Sequence, residues 1–390
     1  MTDDIQGWVA PGFEGVRSAF AASFSGKPDM GAALAIRHRG ALVADLWGGV
    51  SDVRDRTPWR ADTASVIFSS TKGLVSILAA RLVQEGRLDY DAPVCRYWPE
   101  FAASGKTGVT VKQLLAHRSG LSAPRADLSV DDIVDWDAVT GILADQEPLW
   151  EPGSGHAYHA ITHGWLIGEV IRRVTGMSVG QYFDDLIAQP FDVDAWIGLP
   201  PQESSRVAQM IVGPTLTQLT RQQAATQKPG VTDWPYRGMT LGGALPPELV
   251  GEESGFNDPR IRSAEIPGAG GIATARALAT IWSATFEDSV GAPLLSPATI
   301  REATAVQSEG APVFDVPGPW PRWGMGFQLD SETRRFVTPD GFGHDGAGGQ
   351  VAFADPSARI GFAFLTSQME GINDVRGTAI VDALRTALRA

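Results

Sequence analysis

The chain has 390 residues, 43% apolar and 20% charged, with a formal net charge of −13. That balance is that of a globular protein long enough for two packed units, and with no clustered lysines or arginines it excludes a nucleic-acid partner. No apolar run approaches the roughly 18 residues of a membrane helix, so no membrane partner is expected. The single cysteine, Cys95, excludes an internal disulfide and reads as a buried small apolar residue. The opening Met-Thr-Asp-Asp-Ile-Gln-Gly-Trp lacks the basic-then-apolar pattern of a secretory signal, so the expected location is cytoplasmic.

Two strand-like runs, 32–38 and 41–47, flank Arg39-Gly40 and read as a β-hairpin. The segment 68–86 follows, in which Leu74, Leu78 and Leu82 recur every four residues as a helical stripe. Gly86 suits the position just past its end. Ser69 and Lys72 lie at its start, one turn apart on one face. The chain has only five lysines, and the head of an apolar helix is an odd place for a solvated one. A serine hydroxyl is a weak nucleophile until a base takes its proton, and a lysine can be that base if desolvation lowers its pKa. Free N–H groups at the helix start can hold a developing oxyanion. The plain alternative is an N-cap serine followed by a surface lysine.

The middle, 87–330, alternates helical patterns with Pro/Gly loops. Tyr158 is one of five tyrosines and stands in Gly155-His-Ala-Tyr-His-Ala-Ile-Thr-His-Gly-Trp165. A phenolate beside a lysine can accept the serine proton and return one to a leaving group; the alternative is a hydrogen-bonded core tyrosine. His156, His159 and His163 straddle a loop-to-helix junction and no His-Glu-x-x-His occurs, so no metal and no cofactor is expected. His117 reads as a structural hydrogen-bonding residue. Helices are expected at 164–174 and 274–284, and extended loops over 200–270. Of the twelve tryptophans, most belong to the core, while Trp150 and Trp323 are candidates to line an acyl pocket.

The run Gly343-His-Asp-Gly-Ala-Gly-Gly349 precedes a strand at 350–354. Glycines beside a strand let substrate approach the backbone, and an N–H there can be a second oxyanion donor. The alternative is a tight turn between strands. A second strand, 360–367, and a closing helix, 380–388, complete the chain. Strands at both ends and helix between them point to one sheet built from 1–65 and 335–390, with 66–334 as an inserted, mainly helical domain.

These segments together resemble the serine β-lactamase and penicillin-binding-protein superfamily, in particular the class C-like branch with the family VIII carboxylesterases. Ser69-Ser-Thr-Lys72 is similar to its Ser-x-x-Lys motif, Tyr158-His-Ala160 to Tyr-x-Asn, and His344-Asp-Gly346 to Lys-Thr-Gly. Residues 86–94, 114–121, 150–153 and 270–276 fall between them in the family's order. The resemblance implies an α+β, β-lactamase-like fold: an antiparallel sheet flanked by helices, plus a helical domain, with the site between them. It also implies Ser69 as nucleophile, Lys72 and Tyr158 sharing the role of base, and the N–H groups of Ser69 and Ala347 as oxyanion donors. Substrate contacts are expected from His344, Gly346, Gly348 and Trp150. Histidine for lysine at 344 and alanine for the amide at 160 favour small or short-chain esters over anionic antibiotics. The same scaffold also carries β-lactamases, D-amino-acid peptidases and amide hydrolases, and a catalytically silent binding protein is the alternative of another class. No Gly-x-Ser-x-Gly elbow is present. The sequence gives neither the natural ester nor the oligomeric state.

Overall fold

A computed structural model describes residues 5–288, 291–371 and 374–389. Nine strands form one antiparallel sheet in the order Gln6–Val9, Ala41–Asp52, Gly31–His38, Ile360–Thr366, Gln350–Asp355, Phe342–Gly346, Gln328–Leu329, Arg322–Trp323, with Thr57–Pro58 paired to Ala41–Asp52. The two chain ends meet at its centre, where Ala32 pairs with Thr366 and His38 with Ile360.

Side-chain size sorts the two faces of this sheet. Leu34, Ile36, Phe353, Phe362 and Phe364 point one way, against Val16 and Phe20 of the Glu14–Ala22 helix and Ile380, Val381 and Leu384 of the Arg376–Ala387 helix. Ala33, Ala35, Ala352, Ala354 and Ala363 point the other way, the alternation that a period of two dictates. Small residues on that face admit the Ala275–Ala284 helix at close range; a Cβ on Gly361 would lie 2.3 Å from the Ala279 carbonyl oxygen. Both faces are covered, which explains why the strands read as apolar runs.

The Ser70–Gln84 helix lies beside Ala275–Ala284 and is buried along nearly its whole length. Gly73 allows the Trp282 indole to seat on it, since a Cβ there would lie 2.6 Å from the ring. Trp282 also meets Phe327 and Phe342 edge-on, with ring centroids 6.2 and 6.0 Å away. On its far side the same helix meets the Thr162–Thr175 helix, so one apolar core runs from the sheet alanines through Trp282 and Leu74 to Trp165 and Ile171.

Several expectations shift. The expected break at 334/335 falls inside the sheet, because the Arg322–Trp323 and Gln328–Leu329 strands belong to it and the Ala275–Ala284 helix packs on its alanine face. The stretch 200–270 is not all loop: it holds helices Pro214–Thr226, Trp234–Thr240 and Pro259–Ser263. Pro214, Pro235 and Pro259 stand in the first turn of these helices, where the missing N–H costs nothing, rather than breaking them. Thr220 is the only buried residue of the first one, so no apolar stripe announces it. Cys95 is partly exposed, with its Sγ 3.4 Å from the Thr107 carbonyl oxygen, not a core residue.

Trp282 joins sheet, central helix and site helix. Trp282→Ala is therefore expected to cost about 3–5 kcal/mol of unfolding free energy, read as a lowered urea midpoint at unchanged slope.

Candidate active site

Ser69 occupies the N-cap position of the Ser70–Gln84 helix, yet its hydroxyl caps no helical N–H. It is turned inward instead. The Ser69 Oγ lies 3.1 Å from the Lys72 Nζ and accepts a 2.7 Å hydrogen bond from the Tyr158 hydroxyl. Phe68, just before it, holds a left-handed backbone (φ 45°) and is fixed by burial against the Phe256 ring, 5.4 Å away. A bulky residue pays for that conformation with about 1–2 kcal/mol, and the resulting sharp turn leaves Ser69 partly exposed while Ser70, Thr71 and Lys72 are buried. The surface-lysine alternative fails with it.

Lys72 is enclosed by backbone. Its Nζ lies 2.6 Å from the carbonyl oxygens of Ala160 and of Gly268, in addition to Ser69. Two glycines build this cradle. A Cβ on Gly164 would lie 1.8 Å from the Gly268 nitrogen, and one on Gly268 would lie 2.1 Å from the Ile161 oxygen. The start of the Thr162–Thr175 helix and the 266–270 turn can therefore meet only as glycines, and their carbonyls converge on one amine. Among the described residues no carboxylate bonds the Lys72 Nζ, and burial pushes its ammonium well below the ordinary pKa. Burial pushes the Tyr158 phenol up, against the smaller opposing effect of its bond to Ser69. Burial thus acts against the charged form of each, the ammonium of Lys72 and the phenolate of Tyr158. The Lys72 Nζ faces three oxygens, the two carbonyls and the Ser69 hydroxyl.

The Phe342–Gly346 strand brings the third segment in. Ser70 Oγ donates to the His344 carbonyl oxygen at 2.7 Å, and a Cβ on Gly346 would lie 2.2 Å from the Ile67 oxygen. Ala347 and Gly348 follow directly, in the short turn before Gln350–Asp355. The N–H groups of Ser69 and Ala347 donate to no other group among the described residues. His344 is buried, with Nδ1 2.7 Å from the Asp345 carbonyl oxygen and Nε2 unpartnered. Burial, reinforced by Lys72, pushes it down to about 3. It is a neutral ring where the family motif has a cation. Ala160 contributes a carbonyl to Lys72 and no side-chain amide.

Trp323 forms the wall here. Its ring stacks on Tyr158 at 5.3 Å and 13° and meets His344 at 5.2 Å. Trp150 stands further out, edge-on to His159 (5.8 Å) and Phe314 (5.5 Å), with no aromatic contact to Tyr158. The histidines have separate duties. His117 Nδ1 accepts from the His159 N–H at 3.2 Å, His159 Nε2 pairs with Ser119 Oγ at 2.8 Å, and His163 Nε2 lies 3.3 Å from the Leu115 oxygen. Among the described residues no group of His, Cys, Asp or Glu is arranged to hold a metal. Sequence reading missed the carbonyls of Ala160 and Gly268, because a backbone atom carries no residue signature. The glycines at 164 and 268 were the available signal.

Comparison with known proteins finds relatives along most of the chain. The family described as Beta-lactamase matches residues 20–387. The chain is 34% identical over 377 residues to the Esterase/beta-lactamase LipL of Mycobacterium tuberculosis, covering 94% of this chain and 83% of that one. A crystal structure of a family VIII carboxylesterase superposes with a TM-score of 0.85 at 37% identity, covering 98% of this chain and all of that one. EstA from Arthrobacter nitroguajacolicus Rue61a gives 0.82 at 32% identity, with 98% and 99% covered.

The buried imidazoles make stability pH-dependent. His159 and His344 are both pushed down to about 3 by burial, while His117 and His163 move in the same direction. An unfolded chain protonates these rings near pH 6.5, so the unfolded state binds more protons below that pH. Their stabilisation is complete above about pH 6.5 and is lost as pH falls towards about 3, by at most about 1.4 kcal/mol per pH unit for each ring. Urea midpoints measured from about pH 7.5 to about pH 5 are expected to fall, and less steeply in His344→Asn.

Proposed function

The chain belongs to the beta-lactamase family, and we propose that within it this protein is a serine carboxylesterase acting on small, uncharged esters through an acyl-enzyme on Ser69. The observation that carries the reading is the Ser69 hydroxyl held 3.1 Å from a buried amine and 2.7 Å from a buried phenol. Ser69 Oγ attacks the ester carbonyl as its proton passes to the neutral Lys72 amine. The Ser69 and Ala347 N–H groups hold the oxyanion. The tetrahedral intermediate collapses, the C–O bond to the alcohol breaks, and the alkoxide takes the Tyr158 proton, which the Lys72 ammonium replaces. Water then attacks the acyl carbonyl with Lys72 again the acceptor, and Ser69 leaves with that proton.

Esters rather than penicillins or cephalosporins are favoured by charge. A β-lactam presents a carboxylate, and the neutral His344 and the methyl of Ala160 offer it neither cation nor amide. The aromatic wall of Tyr158, Trp323 and His344 suits an apolar acyl or alcohol group. The same reading places the enzyme in the cytoplasm, supported by its acidic balance and a lone thiol that stays reduced there.

Hydrolysis of p-nitrophenyl butyrate is expected to exceed that of a chromogenic cephalosporin; the reverse ranking would overturn the ester assignment. Ser69→Ala is expected to abolish turnover and the mass shift produced by a fluorophosphonate. The pH profile tests the base. The ammonium form of Lys72 is inactive, so kcat/KM is expected to fall on the acid side as Lys72 takes up a proton. It should stay level up to about pH 10, the ordinary phenol value that burial moves Tyr158 above. A decline between about pH 8 and about pH 10 would instead require a protonated Lys72.

A further inference from the structure

The turn that carries Ala347 is poor in intrinsic rigidity. Gly346, Gly348 and Gly349 surround it, the last two with φ of 79° and 115°. Such a turn holds an N–H on target only if something outside holds the turn. On its entry side, the Asp345 N–H donates to Gln328 Oε1 at 2.9 Å and the Asp345 carboxylate pairs with Arg334 at 2.7 Å. On its exit side stands a buried guanidinium from the last helix, 28 residues further along the chain. Arg376, the first residue of the Arg376–Ala387 helix, donates from Nη2 to the Gly348 carbonyl oxygen at 2.8 Å and to the Gln368 carbonyl oxygen at 3.0 Å.

Every nitrogen of Arg376 is occupied. Nε bonds Asp374 Oδ1 at 2.9 Å, Nη2 bonds Asp374 Oδ2 at 2.7 Å, and Nη1 bonds Thr366 Oγ1 at 3.1 Å. Only 5% of the side chain is exposed. The fit around it is tight: a Cβ on Gly349 would lie 2.6 Å from Nη2 and 2.3 Å from Asp374 Oδ2, and one on Gly348 would lie 2.5 Å from Met369 Cγ. The Glu370 N–H adds a second bond to the Gly348 oxygen at 3.2 Å. One rigid, five-donor group thus ties the turn to the strand end at Thr366, to the segment at Gln368 and to the start of the last helix. A planar guanidinium does this where an ammonium offers a single point.

We propose that Arg376 is a positioning residue for the oxyanion site: by holding the Gly348 carbonyl it fixes the direction of the Ala347 N–H. The inference rests on the acyl-enzyme reading above. Oxyanion donors act by being in place before charge develops, and removing one typically costs about 10²–10³ in rate. Loosening one through its support gives a loss between about tenfold and that limit. Because the donor bears on the charged intermediate more than on the neutral ester, the loss falls on kcat and leaves KM nearly unchanged.

The test compares Arg376→Ala, Arg376→Lys and Ser69→Ala in the whole chain. Turnover of p-nitrophenyl butyrate is measured per active site, with sites counted by fluorophosphonate labelling. Inhibition by an alkyl boronic acid, whose Ser69 adduct is tetrahedral and anionic, is the second readout. Arg376→Ala is expected to lower kcat per labelled site at least about tenfold with KM within about threefold, and to weaken the boronate in parallel. Arg376→Lys is expected to fall between it and the parent. If Arg376→Ala does not fold, Arg376→Lys and Asp374→Asn carry the same comparison with smaller losses. Unchanged kcat per site and unchanged boronate affinity in the folded variants would overturn the proposal. Equal losses in kcat/KM caused only by fewer labelled sites would reduce Arg376 to a folding role and also overturn it. Activity surviving in Ser69→Ala would sink the acyl-enzyme reading instead, whatever Arg376 does.

Discussion

An amine without a counter-ion, enclosed by two backbone carbonyls and one hydroxyl, is the constraint around which this molecule is arranged. Burying an ion costs on the order of several kcal/mol after relaxation. That cost pushes the Lys72 pKa well down, while the Ala160 and Gly268 oxygens and the Ser69 hydroxyl supply hydrogen-bond partners for its Nζ. Those oxygens converge only because the turn at 266–270 and the start of the Thr162–Thr175 helix touch through glycine. The apolar core that runs unbroken from the sheet into the helical part keeps that contact closed. Loss of packing at a distance from Ser69 therefore bears on the amine first.

The surroundings of the amine are rich in aromatic rings. His117, His159, His163 and His344 are all shifted downward by burial, and each is lowered further by neighbouring basic groups, Lys72 among them. A cluster of this kind suppresses its own protonation: any ring that took a proton would raise the cost for the next. Burial acts against the charged form of Lys72 as it does against the imidazolium of each ring. Stability is surrendered on the acid side in return.

The sheet links this chemistry to parts of the chain that never approach Ser69. Its large-residue face holds the first and last helices, and its alanine face admits the helix that carries Trp282. The Phe342–Gly346 strand, at the sheet's inner region, is pressed against the nucleophile turn by Ser70 and Gly346. Arg376 leaves the last helix to reach the turn that follows that strand. The two N–H groups proposed to hold the oxyanion, of Ser69 and Ala347, come from elements about 280 residues apart in sequence, and their mutual placement is a property of the sheet, not of either turn.

Local pattern alone carried much of this. Apolar runs bounded by turn residues located the central strands, and the Leu74, Leu78, Leu82 stripe located the site helix. Ser69, Lys72 and Tyr158 stood out because their chemistry is unusual for their setting, a lysine at the head of an apolar helix above all, while His344 was legible only through the family resemblance of the glycine-rich run that carries it. The Pro214–Thr226 helix was not, since it buries almost nothing and opens on a proline. Nor was the sheet's extent past residue 335, which depends on pairing between short strands. What only the tertiary structure decided is the direction in which the titrating groups of the site are shifted. A pKa is set by what surrounds a group, and Lys72 is surrounded by carbonyls of residues 88 and 196 positions away. Arg376 belongs to the same class: in sequence it is a charge opening a terminal helix, and only the folded sheet places it against Gly348.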